Sequence, residues 1–268
     1  MKRRQFIRYT QAGLLAALGT SITSKWQVSN AQTNETLTIQ WLGHTCFLFS
    51  GGGFKVLVNP FRQIGCTAGY RDPKVETDII LISSRLLDEG EVEGFTGNPP
   101  PLLFFEPGAY RFNGIEVQGI STDKDREGGR RFGTNVAWLW KQAGIKILHL
   151  GGLASPIDIE QKILIGRPDV ALLPVGGGPK AYTPVEATEA LQMLNPKIAI
   201  PTHYRTEAAD PATCDIVTVD EFLTLVDGMP VRKVAGDTIT LSQTDLPNEG
   251  SAIQVFNYNF GDGVSARK

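Results

Sequence analysis

The stretch "TDIILISSRLLDEG" (77–90) decides how this chain is read. Its four consecutive apolar residues, Ile79 to Ile82, read as a buried strand. Two serines follow, then Arg85, two leucines and an acidic pair, Asp88 and Glu89. Open α/β folds place their chemistry just past the carboxyl ends of strands. The segment from Ser84 to Glu89 is therefore the first place to look for a site.

Upstream of it, "LTIQWLG", "TCFLFSG" and "FKVLVNP" are short apolar runs separated by turn residues, with Ser50–Gly53 the clearest turn. Downstream, "IEVQGIS", "TNVAWLW" and "IKILHLG" continue the series, and Gln142–Gly144 closes another hairpin. After residue 155 the period changes. "PIDIEQKILIGR" has helical spacing and opens on a proline, a favoured first helical residue. "DVALLPVGGG" is a buried strand, "TPVEATEALQMLN" a helix with a threonine cap, "KIAIPTHY" a strand and "VDEFLTLVDG" a short helix. Strands first and strand–helix alternation later suit sheets packed on each other and covered by helices.

A hydrophobic content of 41% and a charged content of 20% over 268 residues describe an ordinary globular chain. The net charge of -2 leaves no basic surplus to neutralise phosphates, so a general nucleic-acid binder is excluded. Residues 1–31 hold five basic and no acidic residues, which leaves 21 basic against 28 acidic in the remainder. "KRRQFIR", the apolar run "AGLLAALG" and the small residues of "VSNAQ" have the order of an export signal. The pair Arg3-Arg4, with Phe6 and Ile7 behind it, is similar to the twin-arginine signal, with cleavage expected after Ala31. The apolar run is too short for a permanent membrane anchor. The expected destination is the periplasm or a thylakoid-like lumen. The expected domains are the signal at 1–31, one folded domain at 32–243 and a partly flexible extension at 244–268.

Three cysteines are present. Cys46 sits in the apolar run "CFLF" and reads as core; Cys66 and Cys214 lie in loops and are the candidate disulfide, with three free thiols as the alternative. The three histidines, His44, His149 and His203, each fall near a strand boundary. A lone strand histidine is as a rule structural, although histidine is also the commonest metal ligand. The glycines of "VGGGPKAYTP" could present backbone N–H groups to an anion, and "REGGRR" (126–131) could attract one, but both patterns also suit simple loops.

In their order and spacing, "WLGHTCFLF", "VLVNPF", "DIILISS…DEG", "ILHLGGL", "PDVALLPVGG" and "IPTHYRT" resemble the metallo-β-lactamase superfamily over roughly residues 36–226. The nearest likeness is to its ascorbate-6-phosphate-lactonase-like branch of metal-dependent hydrolases. The resemblance implies an α/β (α+β) fold, a four-layer αββα sandwich with the site at one edge. It also implies a metal loop, His-x-His-x-Asp-His, which falls here on Ser84, Leu86, Asp88 and Glu89. The next family histidine falls on Lys124, beside Asp125; the bridging aspartate falls on Gly152; the last histidine is kept as His203. Asn59 stands where an aspartate is often found, and His44 and His149 match positions around the site.

Leucine and glycine side chains offer no donor, and a lysine ammonium has no lone pair to give. The donors left are Asp88, Glu89 and His203, with Asp123 or Asp125 as recruits. The first expectation is thus a degenerate site without a metal pair or other cofactor, in a binding or accessory protein or an altered enzyme whose partner is a small molecule or a protein. Asp88, His203 and Lys124 are its candidate catalytic residues, and Lys124 is expected to pair with Asp88 or Glu89. Ser84, His44, Asp125 and His149 surround them. The alternative is a hydrolase of an ester, lactone or phosphoester with one weakly bound zinc or manganese on Asp88, Glu89 and His203. A third possibility uses His203 as a general base without metal.

Overall fold

The structure, a computed structural model, describes residues 35–97 and 99–260. The export signal expected at 1–31 lies outside the described residues, as do the last eight. The chain opens with β1 (Leu37–Gly43), β2 (Cys46–Gly51), β3 (Phe54–Val58) and β4 (Ile79–Leu81). β5 (Leu102–Phe104), β6 (Gly108–Phe112), β7 (Ile115–Asp123), β8 (Thr134–Gln142) and β9 (Ile145–His149) follow. Helices then alternate with strands: α1 (Ile159–Ile165), β10 (Val170–Pro174), α2 (Pro184–Leu194), β11 (Ile198–Thr202) and α3 (Val219–Leu225). Three short strands, β12 (Val231–Lys233), β13 (Thr238–Leu241) and β14 (Ala252–Val255), complete the order.

The strands form two mixed sheets. The first runs β13-β1-β2-β3-β4-β5 and the second β12-β14-β11-β10-β9-β8-β7-β6. In β1 the residues alternate buried and half-buried, while β10 and β11, paired in parallel, are buried at every position. The inner faces meet directly. Phe49 packs edge-on against Trp140 with ring centroids 4.9 Å apart, and Trp138 Nε1 donates to Ile82 O at 3.1 Å. The buried Gln142 ties the sheets further, donating to Gly51 O and Phe54 O, each at 3.0 Å. α2 packs on α3 and on β10.

Local chemistry explains most boundaries. Thr183 caps α2 by accepting from Glu186 N, and Pro184 supplies the preset φ of a first helical residue. Ala143 (φ 47) and Gly144 (φ 77) turn β8 into β9 as a two-residue hairpin. One helix start differs from the sequence reading. Asp158 caps α1 in a reciprocal bond pair with Gln161, so Pro156 lies outside the helix. The C-terminal boundary differs too. β14 lies between β11 and β12, past the boundary expected at 243, and Phe256, Tyr258 and Phe260 join an aromatic cluster with Phe47, Trp41 and Tyr70. A disulfide joins Cys66 and Cys214, leaving Cys46 free and buried. Among the described residues no helix is long and apolar enough to cross a membrane.

Candidate functional site

Six strand ends deliver polar side chains to one place, and a seventh contributes a glycine. His44 stands in the turn between β1 and β2, Asn59 follows β3, Ser83 to Glu89 follow β4, Lys124 follows β7, Gly152 follows β9, Lys180 follows β10 and His203 follows β11. His44, Asn59 and His203 all hold φ near +52°, a left-handed conformation that costs a non-glycine residue energy. All three are buried. Their backbone strain coincides with the polar cluster, where such strain is typically found in functional sites.

The cluster centres on Glu89. Its Oε2 is paired with the Lys124 ammonium and accepts from Ser84 Oγ at 3.1 Å. Lys124 and Glu89 are both fully buried. Gly152 makes room for this pair: a Cβ there would run into Lys124 Nζ and come to 2.5 Å from Glu89 Oε1. Asp88 turns the other way and pairs with Lys180 at the half-exposed edge of the cluster. Burial alone would raise the Asp88 carboxyl, but the Lys180 ammonium, with His44 and Lys124, holds it well below its usual range. Burial likewise opposes the charge on Lys180, and Asp88 overrides it, leaving the ammonium firmer than usual.

His44 and His203 lie ring to ring, with centroids 4.3 Å apart and planes at 45°. His203 Nε2 is 4.0 Å from Glu89 Oε1. Burial pushes His44 down to about 4 despite the nearby carboxylates, and burial, aided by His44 and Lys124, pushes His203 well below its ordinary value. Both rings are therefore neutral near pH 7, each with a free lone pair. Both nitrogens of His44, both nitrogens of His203 and Glu89 Oε1 have no hydrogen-bond partner. Leaving such atoms buried and unmet costs about 1–3 kcal/mol each.

The site departs from the sequence reading in several places. Among the described residues the donor atoms found within 4.8 Å of one another are those of His44, Glu89 and His203, so His44, expected only nearby, stands in the place expected for Asp88, which is paired with Lys180. Asp125 is not available as a recruit. Its Oδ1 accepts from the N–H groups of Glu127 and Gly129, and its Oδ2 from those of Arg131 and Phe132, at 2.8–3.0 Å. Asp123 is exposed at the end of β7. His149 is held by backbone on both sides: Nε2 donates to Thr45 O at 2.9 Å and Nδ1 accepts from Gly151 N at 3.1 Å. Asn59 Oδ1 accepts from Ser83 N at 2.7 Å and so fixes the start of the loop.

Lys180 was not singled out from the sequence, although its position just after a buried strand was the available signal. Arg126, read as part of an anion-attracting run, is instead a staple. It makes two bonds to Glu186, at 2.8 and 2.5 Å, and donates to the carbonyls of Gly178 and Ala181 at 3.1 and 2.9 Å. It thereby fastens the loop carrying Lys124 to the loop carrying Lys180.

Two sheets with few helices and a cluster at their strand ends define a metallo-β-lactamase-type sandwich. The chain belongs to the beta-lactamase superfamily: the model of its domain matches residues 38–203. Within it the chain is a member of the UPF0173 metal-dependent hydrolase family. It is 32% identical over 195 residues to the Thermoplasma acidophilum member, covering 64% of this chain and 85% of that one. The Archaeoglobus fulgidus member is 29% identical over 198 residues, with 63% and 84% covered. Among solved structures, a Thermotoga maritima protein of the metallo-beta-lactamase superfamily superposes with a TM-score of 0.64. It is 28% identical and covers 82% of this chain and all of that one.

Proposed function

We propose that this protein is an exported member of the metal-dependent hydrolase family that works without a pair of metal ions, as a binding or accessory protein or as an enzyme of altered chemistry. The observation that carries this reading is the Lys124 ammonium, buried against Glu89 in the space that a side chain at Gly152 would fill. Lys124 and Lys180 balance Glu89 and Asp88 charge for charge, so no negative surplus remains to hold two dications. Leu86 and Gly152 supply no donor atom, and the Ser84 hydroxyl is spent on Glu89. A metal pair therefore does not fit the residues present. Export to the periplasm or a thylakoid-like lumen is supported by the arginine-pair signal and by the disulfide, which suits an oxidising compartment. A small molecule or a protein would approach the Asp88–Lys180 edge, where those side chains are 19% and 25% exposed.

A second reading, hydrolysis of an ester, lactone or phosphoester at a single-ion site, is favoured by the unpartnered atoms of His44, Glu89 and His203. One bound zinc or manganese would supply Lewis-acid activation of water. The chain's part would be to hold neutral imidazoles and one carboxylate oxygen ready, and to keep Lys180 at the entrance.

Metal content and hydrolysis of the exported protein, measured together, test both. Two ions per chain would overturn the proposal. Hydrolysis lost on chelation together with one ion selects the second reading, whereas ligand binding that survives chelation supports the first.

A further inference from the structure

We propose that the protein forms a two-fold dimer in which the apolar ridge of α1 on each copy seats in an uncovered groove on the outer face of the other copy's second sheet. This surface lies outside the polar cluster and is independent of how that cluster works. α1 carries four large apolar side chains in seven residues, yet only Ile165 is buried. Ile159 and Ile163 are 69% and 73% exposed, the highest values of any large apolar side chain among the described residues, and Leu164 is 52% exposed. Residues four apart lie side by side on a helix, so Ile159 and Ile163 form one ridge, turned away from the less exposed Gln161 and Ile165. Single exposed apolar residues are ordinary, whereas a contiguous apolar patch marks a surface that a partner covers.

The groove lies beside the ridge. In β8, Trp138, Trp140 and Gln142 reach toward the first sheet, so strand alternation turns Leu139 and Lys141 to the outer face. Ladder pairing sets Gln118 beside Leu139, Ala109 beside Gln118 and Lys146 beside Lys141 on that face. These residues line a concavity of about 870 Å³, with Arg111 and Glu116 also on its wall. α1 is fastened to the same sheet. Gln161 Nε2 donates to Ser121 O at 2.8 Å, and Lys146 Nζ donates to Ile165 O at 2.6 Å. Lys146 therefore touches both, and ridge and groove adjoin. A two-fold axis between them lays each ridge over the other copy's groove, so the contact forms twice and closes on itself. Charge favours a second copy as the occupant. Glu160 flanks the ridge and Lys141 lines the groove; both are exposed, and among the described residues neither side chain has a hydrogen-bond or ion-pair partner. In the dimer each Glu160 meets the other copy's Lys141. Three side chains so exposed offer roughly 400 Å² of apolar surface. Two ridges with the grooves they cover reach the ~1,000 Å² that a specific interface needs, at the weak end of the range.

The test is sedimentation equilibrium of the protein as its host makes it, disulfide intact, at concentrations from about 1 to about 300 µM. The expected result is a reversible monomer–dimer equilibrium with a Kd on the order of 10 µM. Ile163→Asp changes an exposed position, so a cooperative melt should confirm folding while dimerisation weakens roughly tenfold or more. Glu160→Lys and Lys141→Glu should each weaken it by a similar factor, because like charges then face each other. The Glu160→Lys/Lys141→Glu double variant should restore the dimer, since the pair is re-formed with its signs exchanged. A monomer over the whole concentration range overturns the proposal. So does a dimer indifferent to Ile163→Asp, or a double variant no tighter than the single ones. Monomers that bind anionic lipid vesicles through Ile163 would overturn it too, because a membrane would then be the cover.

Discussion

Lys124 and Glu89 are 35 residues apart in sequence and meet as an ion pair whose side chains are each 1% exposed. Breaking a pair so deeply buried leaves one charge without a partner, which costs about 3–5 kcal/mol. Lys124→Met should lower the stability to urea by that amount. Lys124→Met combined with Glu89→Leu should recover much of the loss, because no charge is then stranded. An unchanged midpoint in the single variant would show that the ammonium lies in water.

Gly152 is smaller than its neighbours allow it to be replaced. Gly152→Ala should destabilise by about 1–3 kcal/mol through overpacking against Lys124 and Glu89. The Gly152→Ala/Lys124→Met double variant should be less destabilised than the sum of its parts, since shortening the reach of the lysine head relieves the clash. Strict additivity in equilibrium unfolding would place the two residues apart.

The Cys66–Cys214 bond spans 148 residues of sequence and joins the loop after β3 to the loop before α3. Closing so long a loop restricts the unfolded chain, and its removal typically costs about 2–5 kcal/mol. Cys66→Ser/Cys214→Ser should therefore unfold at lower denaturant. Thiol counting on the unfolded, unreduced protein should find one free thiol, Cys46; a count of three would refute the bond.

Acid should weaken the fold through His149. Burial pushes this ring down to about 4 from an ordinary 6.5, although its bond to Thr45 O acts the other way. The unfolded chain therefore binds the proton first. The stability that His149 contributes is complete above pH 6.5 and is lost as the pH falls from about 6.5 to about 4. Physically, a proton on Nδ1 would point at the Gly151 N–H that this nitrogen now accepts. His149→Gln should lessen the slope over that range without abolishing it, because burial holds His44 and His203 below their ordinary values as well. A wild-type profile level from pH 7 to about 4 would contradict the assignment.

Much of the fold is legible in the sequence because its signals are local. The runs at 37–43, 46–51 and 54–58 are apolar and bounded by turn residues, and the threonine–proline start of α2 stabilises its own first turn. Two of the strands that the sequence pattern does not mark, β5 and β12, have weak local signals. β5 and β12 are mostly exposed, and each exists through ladder bonds, to β4 and β14 respectively. The site is legible only in part for the same reason. Ser84, Asp88, Glu89 and His203 stand out by their places after strands, and Lys124 by the resemblance to the superfamily. The direction each side chain takes depends on partners far along the chain: Lys180 takes Asp88, which leaves Glu89 to Lys124.

By itself the sequence determined the order of most strands and of the three helices and the loops that carry polar residues, because hydrophobic period and turn chemistry act over a few neighbouring residues. Only the tertiary structure decided that His44 joins Glu89 and His203, that Asp125 turns inward on its own loop and that Lys124 fills the space beside Gly152. Those outcomes follow from packing two sheets face to face, which brings distant strand ends within bonding distance and forces each buried charge to find its nearest opposite.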